Sequence, residues 1–148
     1  MFKIIYLLLI SILFFQSVLA SEEYFLTLRN EKVNLRLGPS FDYPVKIIYK
    51  KKFLPVKIKE KSENFRKIQD HENNSGWIHI SQLSKKKAGI ININISILFD
   101  KPTIYSKPIA KIEKGRLCLI KKCKDIWCKI RVGNYVGWIK KDNIWGRI

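Results

Sequence analysis

The side chains best suited to chemistry are three cysteines, Cys118, Cys123 and Cys128, and two histidines, His71 and His79. A cysteine nucleophile needs a histidine beside it to draw off the proton. Both histidines lie in the other half of the chain, His71 in a polar loop and His79 on the exposed face of a short strand. Zinc needs four ligands, with cysteines in close pairs such as CxxC. These cysteines have no such spacing and no neighbouring histidine, so no metal site is read. No glycine-rich loop precedes a helix, which leaves no phosphate cradle. The sequence therefore names no catalytic residues and no cofactor, and it does not read as an enzyme. What remains is thiol oxidation. An odd cysteine count leaves at least one free thiol or one bond to another molecule.

The elements that place these residues are short strands, and they occur twice. Phe65-Arg66-Lys67-Ile68 followed by Gly76-Trp77-Ile78 returns as Trp127-Cys128-Lys129-Ile130 followed by Gly137-Trp138-Ile139. Val56 falls on Cys118, Ile58 on Ile120 and Leu83 on Ile144. One residue is lost in the last hairpin turn, where deletions are tolerated. Val33, Leu35 and Leu37 alternate with Asn34 and Arg36, the period-two signature of a half-buried strand. Gly38-Pro39-Ser40 breaks that strand. No stretch keeps a helical period over ten residues, so the expectation is nearly all-β. Ile91 to Ile97 alternates isoleucine with Asn92, Asn94 and Ser96. It predicts one continuous strand that must be paired, because such a strand left open aggregates. The repeat puts Cys118 at a core position. It puts Cys123 and Cys128 at the exposed places of Lys61 and Arg66, facing across a hairpin within bonding distance. The expectation is a Cys123–Cys128 disulfide with Cys118 free and buried.

The chain begins with an export-like segment. Lys3 precedes an apolar run from Ile4 to Phe15, and Val18-Leu19-Ala20 offers small residues before a cut at Ser21. The run is shorter than the roughly 20 residues a spanning helix needs. Residues 1–20 are thus read as a signal peptide, residues 21–86 as a first module and residues 87–148 as a second. Export points to a periplasmic or secreted protein in which disulfides persist. Membrane contact is expected only through an uncleaved signal. There are 29 Lys and Arg against 12 Asp and Glu, a net charge of +17. This charge has two readings, attraction to a polyanion or solvated strand faces rich in lysine. Nucleic acid is set aside because the chain is exported.

Asn34-Leu35-Arg36-Leu37-Gly38-Pro39-Ser40, together with Leu54-Pro55-Val56, Phe65-Arg66-Lys67-Ile68 and Gly76-Trp77-Ile78, resembles the bacterial SH3-like (SH3b) domain family. The second half resembles it with the opening stretch eroded: Ser96-Ile97-Leu98-Phe99-Asp100-Lys101-Pro102 lacks the Asn, the Arg and the Gly. The Cys123, Trp127 and Cys128 spacing is similar to that of small exported proteobacterial proteins with tandem modules. The resemblance implies two tandem SH3-like β-barrels and a binding role in the cell envelope. The implied partner is peptidoglycan, its stem peptides or another anionic envelope component. The alternative is a scaffold that docks an envelope protein through an SH3-like groove or an edge strand such as Ile91–Ile97. The candidate ligand-binding residues are Arg36, Phe41, Tyr43, Tyr49 and Trp77. Trp77 could instead pack over an open barrel end, and Arg36 could stack over the core or hold a carboxylate.

Overall fold

The computed structural model describes residues 22–148. The expected signal peptide, residues 1–20, lies outside the described residues. The first sheet is built from β1 (Tyr24–Leu28), β2 (Val33–Arg36), β3 (Val45–Tyr49), β4 (Pro55–Ser62), β5 (Phe65–Gln69), β6 (Ser75–His79) and β7 (Leu83–Ser84). The second uses β8 (Ala88–Ile91), β9 (Ile95–Phe99), β10 (Pro108–Glu113), β11 (Leu117–Lys124), β12 (Trp127–Val132), β13 (Tyr135–Lys140) and β14 (Ile144–Arg147). The strand orders are β3-β2-β6-β5-β4-β1-β7 and β10-β9-β13-β12-β11-β8-β14, the same topology twice. This is the all-β pair of SH3-like modules that the repeat predicts.

The repeat register is the one read from the sequence. Lys61 lies opposite Arg66 as Cys123 lies opposite Cys128, and Ile68 faces Gly76 as Ile130 faces Gly137. The missing residue falls in the β12–β13 turn, a two-residue Gly133-Asn134 loop with Gly133 at φ 56°. Gly76 and Gly137 are fixed by close approach. A Cβ at Gly76 would lie 2.7 Å from the Arg36 carbonyl, and one at Gly137 would lie 2.7 Å from that of Phe99. Both distances are inside contact, so the Gly-Trp-Ile strand can cross the opening strand only without a side chain there.

Each sheet bends around its own core. Leu28, Val33, Leu35, Val56, Ile58, Ile68 and Ile78 fill the first, and Ile91, Leu98, Cys118, Ile120, Ile130 and Ile139 the second. The two are joined tightly. Ile90 of β8 packs into the first core. The Phe25 ring meets Trp145 edge-on at 4.8 Å. Arg147 donates to the Phe25 carbonyl at 2.9 Å and to the Lys85 carbonyl at 3.0 Å. The buried Thr27 hydroxyl donates to the Lys86 carbonyl at 3.0 Å. The connecting lysines are therefore clamped from both sides.

Three expectations are corrected here. Ile91–Ile97 is not one strand. It turns at Asn92–Asn94, where Asn92 N–H donates to the Asn143 carbonyl and Lys114 N–H to the Asn94 carbonyl. Ile91 is wholly buried while Ile95 is more than half exposed, so the isoleucines do not share a face. The eroded opening stretch also sits one residue further on than Ser96 opposite Asn34 would put it. Arg36 pairs with Trp77 and Phe99 pairs with Trp138, so Phe99 takes the place of Arg36 and Ile97 that of Asn34. Finally, Cys128 is buried in the second core, whereas its partner Cys123 is exposed as expected.

Candidate binding cleft of the first module

The cleft begins with a loop that the sequence builds on itself. Leu37 N–H donates to the Pro44 carbonyl at 3.1 Å, closing an eight-residue excursion between β2 and β3. Inside it the Arg36 guanidinium donates from Nη1 to the carbonyls of Phe41 at 3.1 Å and Tyr43 at 2.9 Å. The Tyr43 ring lies flush on Gly38, where a Cβ would come within 2.5 Å of it. Ser40 Oγ accepts from Asp42 N–H at 3.1 Å. The Asn-x-Arg-x-Gly-Pro pattern thus has a physical reading. Arg36 supplies a fixed fork of donors, which a lysine could not reproduce. Gly38 leaves room for a ring.

The loop delivers Phe41 onto the sheet. Phe65 and His79 are opposed on β5 and β6, and opposed residues share a face. Phe41 completes a triangle with them. Its centroid is 5.2 Å from Phe65 and 5.1 Å from His79, and Phe65 to His79 is 5.1 Å. The Arg36 guanidinium carbon stands 5.5 Å from the Phe41 centroid, close enough for cation–π attraction. Beside this cluster opens a hollow of about 180 Å³ lined by Lys32, Asn34, Arg36, Phe41, Phe65, His79 and Gln82. Within it Asn34 Oδ1 is buried and has no hydrogen-bond partner. A buried acceptor without a donor is costly, and an N–H brought into the hollow reaches this oxygen only once the Asn34 side chain turns outward. The volume is below the ~300 Å³ of a drug-sized pocket and suits one side chain of a longer ligand.

The five candidate residues are distributed unevenly. Arg36, Phe41 and Tyr43 come together at the loop. Trp77 lies opposite Arg36, on the same face as His79 and two rungs along the ladder from it. Tyr49 is not on that surface. It is buried, and its hydroxyl donates to Asp70 Oδ2 at 2.8 Å. Burial, and then the hydrogen bond and charge of Asp70, push its phenol pKa well up. Asp70 in turn accepts from the N–H groups of Glu72 and Asn74 and shapes the β5–β6 loop. Sequence reasoning missed Asn34, Phe65 and His79. Phe65 and His79 are brought opposite each other by the β5–β6 register, which the sequence pattern did not set. The expected Cys123–Cys128 disulfide is present across the β11–β12 hairpin, and Cys118 is free and buried. Burial holds the Cys118 thiol pKa up at about 12. Among the described residues, no group of three or more His, Cys, Asp or Glu is placed to hold a metal ion.

Residues 29–85 and 94–146 both match the bacterial SH3 domain family, so the chain belongs to that family as a tandem pair. No curated protein matches the sequence. Among solved structures it is similar to NlpC2 from Trichomonas vaginalis, at 14% identity over 84% of this chain and 48% of that one, with a TM-score of 0.37. NlpC1 from Trichomonas vaginalis gives 13% identity over 86% and 47%, with a TM-score of 0.36. The chain spans about half the length of these structures, and a likeness at this level adds nothing to the family assignment.

Proposed function

We propose that this protein is a non-enzymatic binding module of the bacterial cell envelope, exported from the cytoplasm, whose first module recognises peptidoglycan through its stem peptides. The observation that carries the reading is the cleft beside Phe41, Phe65 and His79. Its chemistry suits an extended, anionic, amide-rich chain. Lys32 and Arg36 bring positive charge for carboxylates. The Asn34 side chain lines the hollow and offers an amide group to a peptide backbone. The aromatic triangle gives an apolar floor, and the hollow takes one side chain at a time. Family membership supports a binding role, and the disulfide supports an oxidising compartment.

The test is retention of the chain from Ser21 to Ile148 on purified peptidoglycan sacculi across a salt series. Retention that survives high salt and is lost in Phe41→Ala supports the reading. Retention that fades steeply with salt and ignores Phe41→Ala would reduce it to a polycation adhering to carboxylates. Tyr43→Ala serves as a second probe, because it loosens the loop without removing Phe41. The second reading, docking of another envelope protein, keeps one observation in its favour. Edge strand β3 presents Val45 and Ile48, both more than a third exposed, to solvent.

A further inference from the structure

The second module carries charge on one face that its own fold does not neutralise. Lys122 lies opposite Lys129, and Lys129 lies opposite Trp138. Lys124 lies opposite Trp127, and Trp127 lies opposite Lys140. Opposed residues on antiparallel neighbours share a face, so four lysines surround two tryptophans. The Lys122 ammonium stands 5.7 Å from the Trp138 ring centroid. Among the described residues, the ion pairs join Glu23 to Lys57 and Lys59, and Glu60 to Lys67, all in the first module. None joins these four lysines to a carboxylate. The contrast falls on a single rung. In the first module Glu60 lies opposite Lys67 and pairs with it at 2.8 Å. In the second, Lys122 stands where Glu60 does, which turns an attraction into a repulsion. Like charges directly opposed weaken a sheet, so the fold gains nothing from this arrangement.

The end of the same hairpin adds a second, independent feature. The β11–β12 turn is Asp125-Ile126, and Ile126 is 63% exposed. The first module has Glu63-Asn64 at that turn. The Cys123–Cys128 bond closes the hairpin just behind it, and the Ile126 carbonyl accepts from Lys141 N–H at 2.8 Å. An apolar residue is thus held out at a rigid tip, with Lys124 and Lys141 next to it.

Trp127 and Trp138 are buried, each 8% exposed, so what meets solvent here is Ile126 and the lysines, a pairing that matches the water–bilayer boundary. Lysines meet anionic phosphates while their stems lie along apolar surface. A soluble polyanion would engage the lysines but would leave Ile126 without a role. We infer that the β11–β12 hairpin docks the protein on an anionic phospholipid surface. Lys122, Lys124, Lys129 and Lys140 meet lipid phosphates, and Ile126 reaches the acyl boundary. The contact is made by a hairpin tip; among the described residues, no helix is long and apolar enough to cross a membrane. The inference is independent of the reading of the first module.

The test is co-sedimentation of the chain from Ser21 to Ile148 with phosphatidylcholine vesicles, with and without phosphatidylglycerol. Binding is expected only with the anionic lipid. Lys122→Glu copies the first module and gives Lys129 a partner, so it should fold, as a thermal melt will check. It removes two units of local charge and should weaken binding about 30-fold. Ile126→Asn, also copied from the first module, should weaken it about tenfold. Lys51→Glu makes the same charge change on the first module and should weaken it less than about threefold. Equal losses for Lys51→Glu and Lys122→Glu would overturn the inference, because net charge alone would then explain binding. So would binding that Ile126→Asn leaves intact, or capture of soluble polyphosphate as tight as capture of the vesicles.

Discussion

The two modules share one topology and differ most in how their surfaces are finished. In the first, Arg36 holds a loop that lays Phe41 against Phe65 and His79, with a hollow beside them. In the second, Phe99 stands at the place of Arg36, and its ring packs edge-on against Trp127 at 5.9 Å. The corresponding loop has the same length, closed by Asp100 N–H donating to the Lys107 carbonyl. There Ser106 Oγ bonds the backbone of Lys101 and Thr103, so no guanidinium is needed. The interiors differ as well. The buried Tyr49–Asp70 pair of the first module is replaced by Ile112 and Val132 in the second. Lys61 opposite Arg66 becomes Cys123 bonded to Cys128. The fold tolerates these exchanges because each swaps one self-consistent set for another. A hydrogen-bonded polar pair gives way to an apolar pair, and a solvated pair gives way to a covalent one. Conservative core fillings keep a fold, while surfaces are free to diverge.

The comparison breaks most sharply in the cores. Ile68→Ala and Ile130→Ala remove equivalent, fully buried side chains. Each should lower stability by about 3 kcal/mol. Urea unfolding followed by tryptophan fluorescence will show whether the modules unfold together. One cooperative transition in both variants is expected, because Ile90, Trp145 and Arg147 tie the modules to each other. Two separated transitions would mean that the interface is weaker than its packing suggests.

The disulfide is the next largest difference. It closes a short loop, so by chain entropy its reduction should remove about 2 kcal/mol from the folded state. Urea midpoints with and without reductant measure this. A Lys and Arg pair installed at Cys123 and Cys128 tests whether the solution used by the first module serves in the second. Because Cys128 is wholly buried, that variant should be less stable than the merely reduced protein.

Tyr49→Phe sharpens the comparison of interiors. It removes one hydrogen bond from Asp70 but leaves those from the Glu72 and Asn74 backbone. A loss of about 1–2 kcal/mol is expected. Asp70→Ala should be worse, since it strands the buried hydroxyl and frees the β5–β6 loop. The cleft should survive Tyr49→Phe, so retention on sacculi should not change.

The smallest effect appears only at alkaline pH. The Cys118 thiol is held at about 12, above its ordinary value of 9.0. Its unfolded form therefore loses a proton first, and the stability linked to it declines as pH rises from about 9 towards 12. Tyr49, also raised, adds a decline beginning above its ordinary value of 10.0. Thermal melts between pH 7 and pH 10 should show the onset. Cys118→Val, the residue of the first module at that place, should delay it.

Much of this architecture was legible along the chain. Alternation at Val33 and Leu35, the doubled Gly-Trp-Ile and the equivalence of Lys61 and Arg66 with Cys123 and Cys128 are local patterns with a fixed period. Strand pairing preserves such patterns. Ile91–Ile97 was misread for an equally physical reason. Period-two alternation cannot register a turn that is stabilised by bonds from Asn143 and Lys114, which are distant in sequence. The site was legible only in part. Arg36, Phe41 and Tyr43 are neighbours in the chain, and their loop follows from Gly38 and Pro39. Tyr49 was expected at the cleft and His79 in solvent; the burial of one depends on Asp70 and the stacking of the other on Phe41, partners that alternation along a strand does not show.

The sequence by itself determined the repeat, the β class, the hairpin that bonds Cys123 to Cys128 and the glycines at the strand crossings. All of these depend on residues close in sequence or related by a constant spacing. Tertiary structure alone decided that Phe65 and His79 join Phe41, that Tyr49 turns inward to Asp70, and that Lys122 faces Lys129 with no carboxylate between them. Those outcomes depend on register across strands and on which side chains reach a shared interior, which no local pattern encodes.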